Sequence, residues 1–174
     1  MKADDLIQDL AGDIYQGPLS GVRDEPDYPD LSNPLHVVVL LIDCDFEINI
    51  NGMLGFLENM TGQHLAKTTE ALEMIGTPKC AALFHLVQET MDRHGVTWQQ
   101  LRRDFEGAKE FQITSFHELH GEVLDKFANE VCELGRGFCL LNKLYSPEDV
   151  YGALCTYLED KVERLSDEVK KRRA

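Results

Sequence analysis

The sequence predicts an all-α protein. Three observations carry that reading. Nearly every segment spaces its apolar residues three and four apart, several segments open on a capping residue followed by proline or acids, and no run alternates apolar and polar as a half-buried strand does. The expectation is one compact multi-helix domain of about eight helices over residues 1–174: an acidic N-terminal helix and Pro/Gly-rich loop (1–32), a helical core (33–169) and a basic C-terminal tail (170–174).

Asp5 to Tyr15 places Leu6, Leu10 and Ile14 one turn apart and stops at Gly17-Pro18. Residues 17–34 read as a loop, punctuated by Gly17, Pro18, Gly21, Pro26, Pro29 and Pro34. Asn33-Pro34 is an N-cap with proline at the first helical position, and the helix it starts runs through Leu35–Ile48. Its apolar run resembles a strand, but the cap and the length favour helix. Asn49-Ile50-Asn51-Gly52 breaks it, Met53–Asn59 forms a short helix, and Leu65–Ile75 follows, closed by Gly76.

Thr77-Pro78 repeats the cap-plus-proline start, and that helix reaches His94 before Gly95. Thr97 caps a segment bearing Trp98, Leu101 and Phe105. Phe116, Leu119, Val123, Phe127, Val131 and Leu134 carry one long helix over 113–134, ended by Gly135-Arg136-Gly137. Ser146-Pro147-Glu148-Asp149 is a further N-cap with acids in the first turn, where the helix dipole favours them. The last helix continues from there to the tail.

A chain of this length can bury a sizeable core as one domain, and 43% hydrophobic residues separate it from acidic disordered chains. Met1-Lys2-Ala3-Asp4-Asp5 opens no apolar leader, and the longest apolar run, Val37 to Ile42, is too short for a bilayer, so a cytoplasmic protein with no membrane role is expected. Five cysteines form no CxxC pair and are odd in number, which fits reduced thiols. Cys44, Cys80, Cys132 and Cys155 fall within helical patterns and read as small buried apolar residues.

Charge is the strongest functional signal. The net value is −14, and residues 1–66 hold 12 acidic side chains against Lys2 and Arg23 alone. Such a field repels nucleic acid and attracts cationic partners. Asp24, Glu25, Asp27 and Asp30 cluster in the proline-rich loop. Others stand at helical spacing: Glu118, Glu122 and Asp125; Glu130 and Glu133; Glu159, Asp160, Glu163 and Asp167. Neighbours three or four apart are separated by roughly 4.5–6 Å along the axis, comparable with about one phosphate per 3.4 Å on each strand of a duplex. The carboxylates can therefore form a phosphate-like array, although each cluster alone reads as a solvated face.

Other chemistry is thinly supported. His117-Glu118-Leu119-His120 lacks one residue of the HExxH zinc motif, and no third ligand stands at a supporting spacing, so the histidines read as polar positions on a surface helix. Asp43, Asp45 and Glu47 are conceivable acid–base groups. At least one of them must lie near the core, and there a carboxylate more often serves structure, such as bracing the Asn51-Gly52 turn. No nucleophile elbow, Walker A or dinucleotide motif occurs. The Lys170-Lys171-Arg172-Arg173 run reads as cations at a helix C-terminus that fray into solvent.

The stretch Asp45-Phe46-Glu47-Ile48-Asn49-Ile50-Asn51-Gly52-Met53-Leu54-Gly55-Phe56-Leu57-Glu58-Asn59, followed by Thr61-Gly62, resembles a bacterial family of small helical proteins. In that family a helix ending Phe-x-Glu-Val/Ile leads into an Asn-Gly-Gly turn and an aromatic helix closed by Asn. Here Ile50-Asn51-Gly52 stands at the turn. Glu70-Ala71-Leu72-Glu73-Met74-Ile75-Gly76 is similar to the family's Glu-Ala-Leu-x-x-Ile-Gly segment. The resemblance covers roughly residues 36–95, and the flanks match in length and helical character.

Most of this family is uncharacterised. Its known function is that of a DNA mimic, a strongly acidic homodimer that occupies a transcription factor's DNA-binding surface. With the charge distribution, the resemblance implies a non-enzymatic homodimer with no cofactor or metal. It would bind a helix-turn-helix-type repressor and exclude operator DNA without touching nucleic acid itself. The partner-binding residues expected are Asp24, Glu25, Asp27, Asp30, Glu118, Glu122, Asp125, Glu159, Asp160 and Glu163. Two alternatives remain: a metal- or carboxylate-dependent hydrolase built on Asp43, Glu47 or the His117/His120 pair, and an inhibitor or immunity protein against a basic toxin.

Overall fold

The apolar run at Val37–Ile42 lies inside the central helix of the molecule. In the computed structural model, which describes residues 2–107 and 115–174, this helix α2 (Pro34–Glu58) starts where the Asn33 side chain accepts a hydrogen bond from the Leu35 N–H at 2.9 Å. Leu35, Val37, Val38, Val39, Leu40 and Leu41 are all buried, on every side of the helix. A helix that is apolar all round belongs in a core, and its neighbours wrap it.

The other helices among the described residues are α1 (Ala3–Gln16), α3 (Leu65–Met74), α4 (Pro78–His94), α5 (Trp98–Glu106), α6 (Phe116–His120), α7 (Asp125–Leu134), α8 (Val150–Leu158) and α9 (Val162–Arg173), with no strand. α3, α5 and α7 pack on α2, α4 packs on α3 and α7, and α1 packs on α8 and α9. One hydrophobic core joins them, with Phe56, Phe84 and Phe127 among its largest fully buried side chains.

The break expected at Asn49–Gly52 narrows to Gly52 alone, which leaves helical geometry at φ 69°, ψ −177°. The helix resumes on the far side of this kink, and the fold in the chain sets Asn51 over Gly55. A Cβ on Gly55 would stand 2.1 Å from the Asn51 Cβ. Glu47 braces the same turn by accepting from the Asn51 amide at 3.0 Å and from the Asn59 amide.

Several expected boundaries move. The helix drawn over 113–134 is three pieces, α6, a short 3-10 turn (Glu122–Leu124) and α7, and its first two residues fall outside the described residues. The interruption is Gly121, at φ 82°, a conformation other residues enter only at a cost. The buried face shifts there by one residue: the 3-10 turn puts Leu124 on the core side, ahead of Phe127 in α7, while Val123 faces water.

The last helix also breaks, between Leu158 and Val162. Its first part ends in a turn where the Lys161 Nζ donates to the Tyr157 carbonyl at 2.8 Å, satisfying a backbone acceptor at the helix end. The cap of α8 is Asp149, which accepts from the Gly152 N–H at 2.9 Å; Ser146 instead lies against Cys80. Thr77 does not cap α4, since its hydroxyl donates to the Leu72 carbonyl. Thr97 caps α5 as expected. Cys44 and Cys80 are buried, but Cys132 is exposed and Cys155 half-buried, so those two are not core residues.

Candidate acidic interface

A carboxylate already held by the fold is less available to a partner than one left free. Asp43 is buried and faces Arg23, whose Nε donates to it at 2.6 Å while the same guanidinium also reaches the Ile14 carbonyl. Asp45 accepts from the Leu141 N–H at 2.9 Å, and Glu47 braces the Gly52 kink. Each group considered for acid–base chemistry is therefore held by a structural partner.

The histidines behave likewise. The His120 side chain is fully buried rather than on the surface, its ring nitrogens facing Glu58 at 2.7 Å and Asp104 at 3.0 Å. His117 is exposed and pairs with Asp125 at 2.9 Å, which raises its pKa through that hydrogen bond. The two rings engage different carboxylates, and among the described residues no group of three or more His, Cys, Asp or Glu is placed to hold a metal ion.

The ten expected partner-binding residues divide in three. Asp24, Asp27, Glu122, Glu159 and Glu163 are exposed and have no side-chain hydrogen bond or ion pair among the described residues. Asp160 is 78% exposed and among the described residues pairs only with the adjacent Lys161, whose hydrogen bond lowers its pKa. The other four already serve the fold. Glu118 closes a capping box with Ser115, and the Ser115 N–H lowers its pKa. Asp30 accepts from the Ser32 hydroxyl and N–H, which lower its pKa in that order. Asp125 holds His117. Glu25 is held by Arg172 and by His36, and the Arg172 hydrogen bond is the larger cause of its lowered pKa.

Glu118 and Glu122 do not share a helix face, because Gly121 separates them. Asp24 opens onto a pocket of about 220 Å³ lined also by the Arg23–Asp43 pair, Tyr28 and His64. Glu159 and Glu163 do come together. They line a groove of about 930 Å³ between the start of α1 and the α8–α9 corner, with Asp4, Asp167, Lys2 and Lys170. Asp4 is fixed there by the Tyr151 hydroxyl and the Gln8 amide, whose hydrogen bonds lower its pKa. Desolvation, with Asp4 beside it, pushes the Tyr151 phenol up to about 12.

Asp4, Asp9 and Asp13 stand outside the set expected from the sequence. Their signal is the acidic excess of residues 1–66, with Asp9 and Asp13 four apart on one helix. Glu168, near the end of α9, is also absent from that set, and only the tertiary pairing with Arg172 brings it to notice. The groove lies along α9 from its start, and the carboxylates of α1 and the acidic loop gather around its other end.

No described helix is long and apolar enough to cross a membrane. No curated protein and no solved structure matches the chain. The family model described as DMP19-like protein, in which DMP19 denotes DNA mimic protein 19, matches residues 29–161, a span that contains α2 to α8 and leaves α1 and α9 outside. By that match over most of its length, the chain belongs to the DMP19-like family of DNA mimic proteins.

Proposed function

We propose that this protein binds the DNA-reading surface of a helix-turn-helix-type repressor in the cytoplasm and keeps operator DNA off it. Family membership supports mimicry in general. The observation that carries the specific reading is that the fold leaves Glu159 and Glu163 uncommitted beside Asp4 and Asp167, while Asp24, Asp27 and Glu122 also face solvent without side-chain partners among the described residues. A repressor gains much of its DNA affinity by neutralising phosphates with Lys and Arg and releasing their counterions. Fixed carboxylates engage the same side chains, and the net charge of −14 steers the encounter. Glu25, Asp30, Glu118, Asp125 and Asp160 remain in the proposed surface as anchored acceptors.

The reading includes a homodimer, which lengthens the array. Its support is an exposed apolar strip: Tyr15 and Phe46 stack with ring centroids 4.8 Å apart, and Ile50, one turn further along α2, is 61% exposed. Light scattering should give twice the 19.7 kDa chain mass.

The test is affinity capture followed by displacement. Immobilised protein is incubated with an extract of its own cells at low salt, then eluted with duplex DNA at constant ionic strength. A sequence-specific DNA-binding regulator should leave with the duplex. A bound fraction that salt elutes and duplex does not would point to the inhibitor reading.

A further inference from the structure

The basic end of α9 does not fray. Arg173 donates from Nε to Asp13 at 2.6 Å and from a terminal nitrogen to Asp9 at 2.7 Å, and also reaches the Asp9 carbonyl. Arg172 donates to Glu168 at 2.9 Å and to Glu25, whose other oxygen faces the buried His36 at 3.0 Å. Two guanidinium groups thus sit on carboxylates of α1 and the acidic loop, at the opposite end of the chain. The contact is one that a partner's arginines would make with the same carboxylates.

We propose that Arg172 and Arg173 are an internal occupant of this acidic face, holding Asp9, Asp13 and Glu25 until the arginines of a basic partner displace them. The assignment rests on the proposed binding of a basic protein surface, and adds to it a built-in competitor. Exchange is feasible because the groups involved keep between 24% and 46% of their side-chain surface exposed, and exposed ion pairs are individually weak. It need not unfold α9, which is anchored separately by the buried Leu165 and Val169. The neighbouring lysines are different: Lys170 reaches Asp167 only at 3.5 Å, and Lys171 has no side-chain partner among the described residues.

That difference supplies the control. Fluorescein-labelled octa-arginine is titrated into the full-length protein, R172Q/R173Q and K170Q/K171Q at about 50 mM salt, where screening is modest. Both variants remove two positive charges from the same tail; K170Q/K171Q releases only Asp167 from a long 3.5 Å contact, whereas R172Q/R173Q uncovers Asp9, Asp13, Glu25 and Glu168. R172Q/R173Q should bind the peptide about fivefold more tightly than K170Q/K171Q, as expected for releasing a few weak ion pairs. Equal affinities, or weaker binding by R172Q/R173Q with unchanged helical circular dichroism, would overturn the proposal. Should R172Q/R173Q lose its helical signal, R172K/R173K decides: it keeps the charge but loses the two-pronged geometry, so tighter binding than the parent supports the proposal and unchanged affinity overturns it. Octa-arginine has no DNA-reading structure, so its result bears on masking alone and leaves mimicry to the competition with operator DNA.

Discussion

Glu148 caps a helix whose first free amide, that of Lys79, lies 69 residues earlier. Its carboxylate accepts from the N–H of Lys79 at 2.8 Å and of Cys80 at 3.0 Å, the first two free amides of α4 after Pro78. Thr77 stands at the usual capping position with its hydroxyl turned back to Leu72, so the acid of a distant loop does its work. Glu148→Ala should lower stability by about 1 kcal/mol, as loss of a cap does, read as a lower midpoint in urea with an unchanged slope. Glu148→Gln should recover part of the loss, because an amide oxygen still accepts.

The kink at Gly52 makes Gly55 a second constrained position. Gly55→Ala would bring its Cβ to 2.1 Å from the Asn51 Cβ, an atom fixed to the backbone. The expected cost is about 1–3 kcal/mol, typical of overpacking. Thermal unfolding checks it; a midpoint equal to the parent would mean the kink relaxes freely.

Arg23 and Asp43 should show strong coupling. Removing one partner with Arg23→Met or Asp43→Leu leaves a poorly solvated charge. Each change should cost about 2–3 kcal/mol, below the fully buried range because Arg23 keeps 28% of its side chain exposed. The double variant should be far less destabilised than the sum of the two, which chemical denaturation of all four proteins measures.

His117 supplies a pH signature. Its pKa is raised above 6.5, first by the Asp125 hydrogen bond. The folded state then binds the proton more tightly than the unfolded state. The contribution to stability is fully present below pH 6.5 and disappears as pH rises through the raised midpoint. Titration of the imidazole by NMR should show a midpoint above 6.5, and Asp125→Asn should bring it down.

The all-helical class is legible because apolar period and boundary residues agree over most of α1 to α5, where Asn33, Gly76, Gly95 and Thr97, though not Thr77, mark boundaries by their own chemistry. The boundaries that differ have tertiary causes. Apolar residues keep helical spacing across Gly121, which hides its positive φ. The turn at 159–161 contains neither glycine nor proline and is stabilised by the Lys161 side chain on Tyr157. The acidic excess is likewise legible, but its division is not. That Glu25 is bound while Asp24 is not depends on Arg172, 147 residues away. Folding spends some carboxylates on Arg, His and backbone N–H groups, and local sequence carries no record of which.

If this protein stands in for DNA, it and operator DNA compete for one surface of the regulator. The direct measurement is a mobility-shift titration: the captured regulator on labelled operator, with increasing amounts of this protein. Labelled operator should be released as free duplex with no slower band, and the protein concentration needed should rise with that of operator. The charge-neutralised variant E159Q/E163Q/D167N should require more protein while keeping its helical circular dichroism. A stable complex of regulator, operator and this protein together would contradict the account, because two ligands cannot occupy one DNA-reading surface.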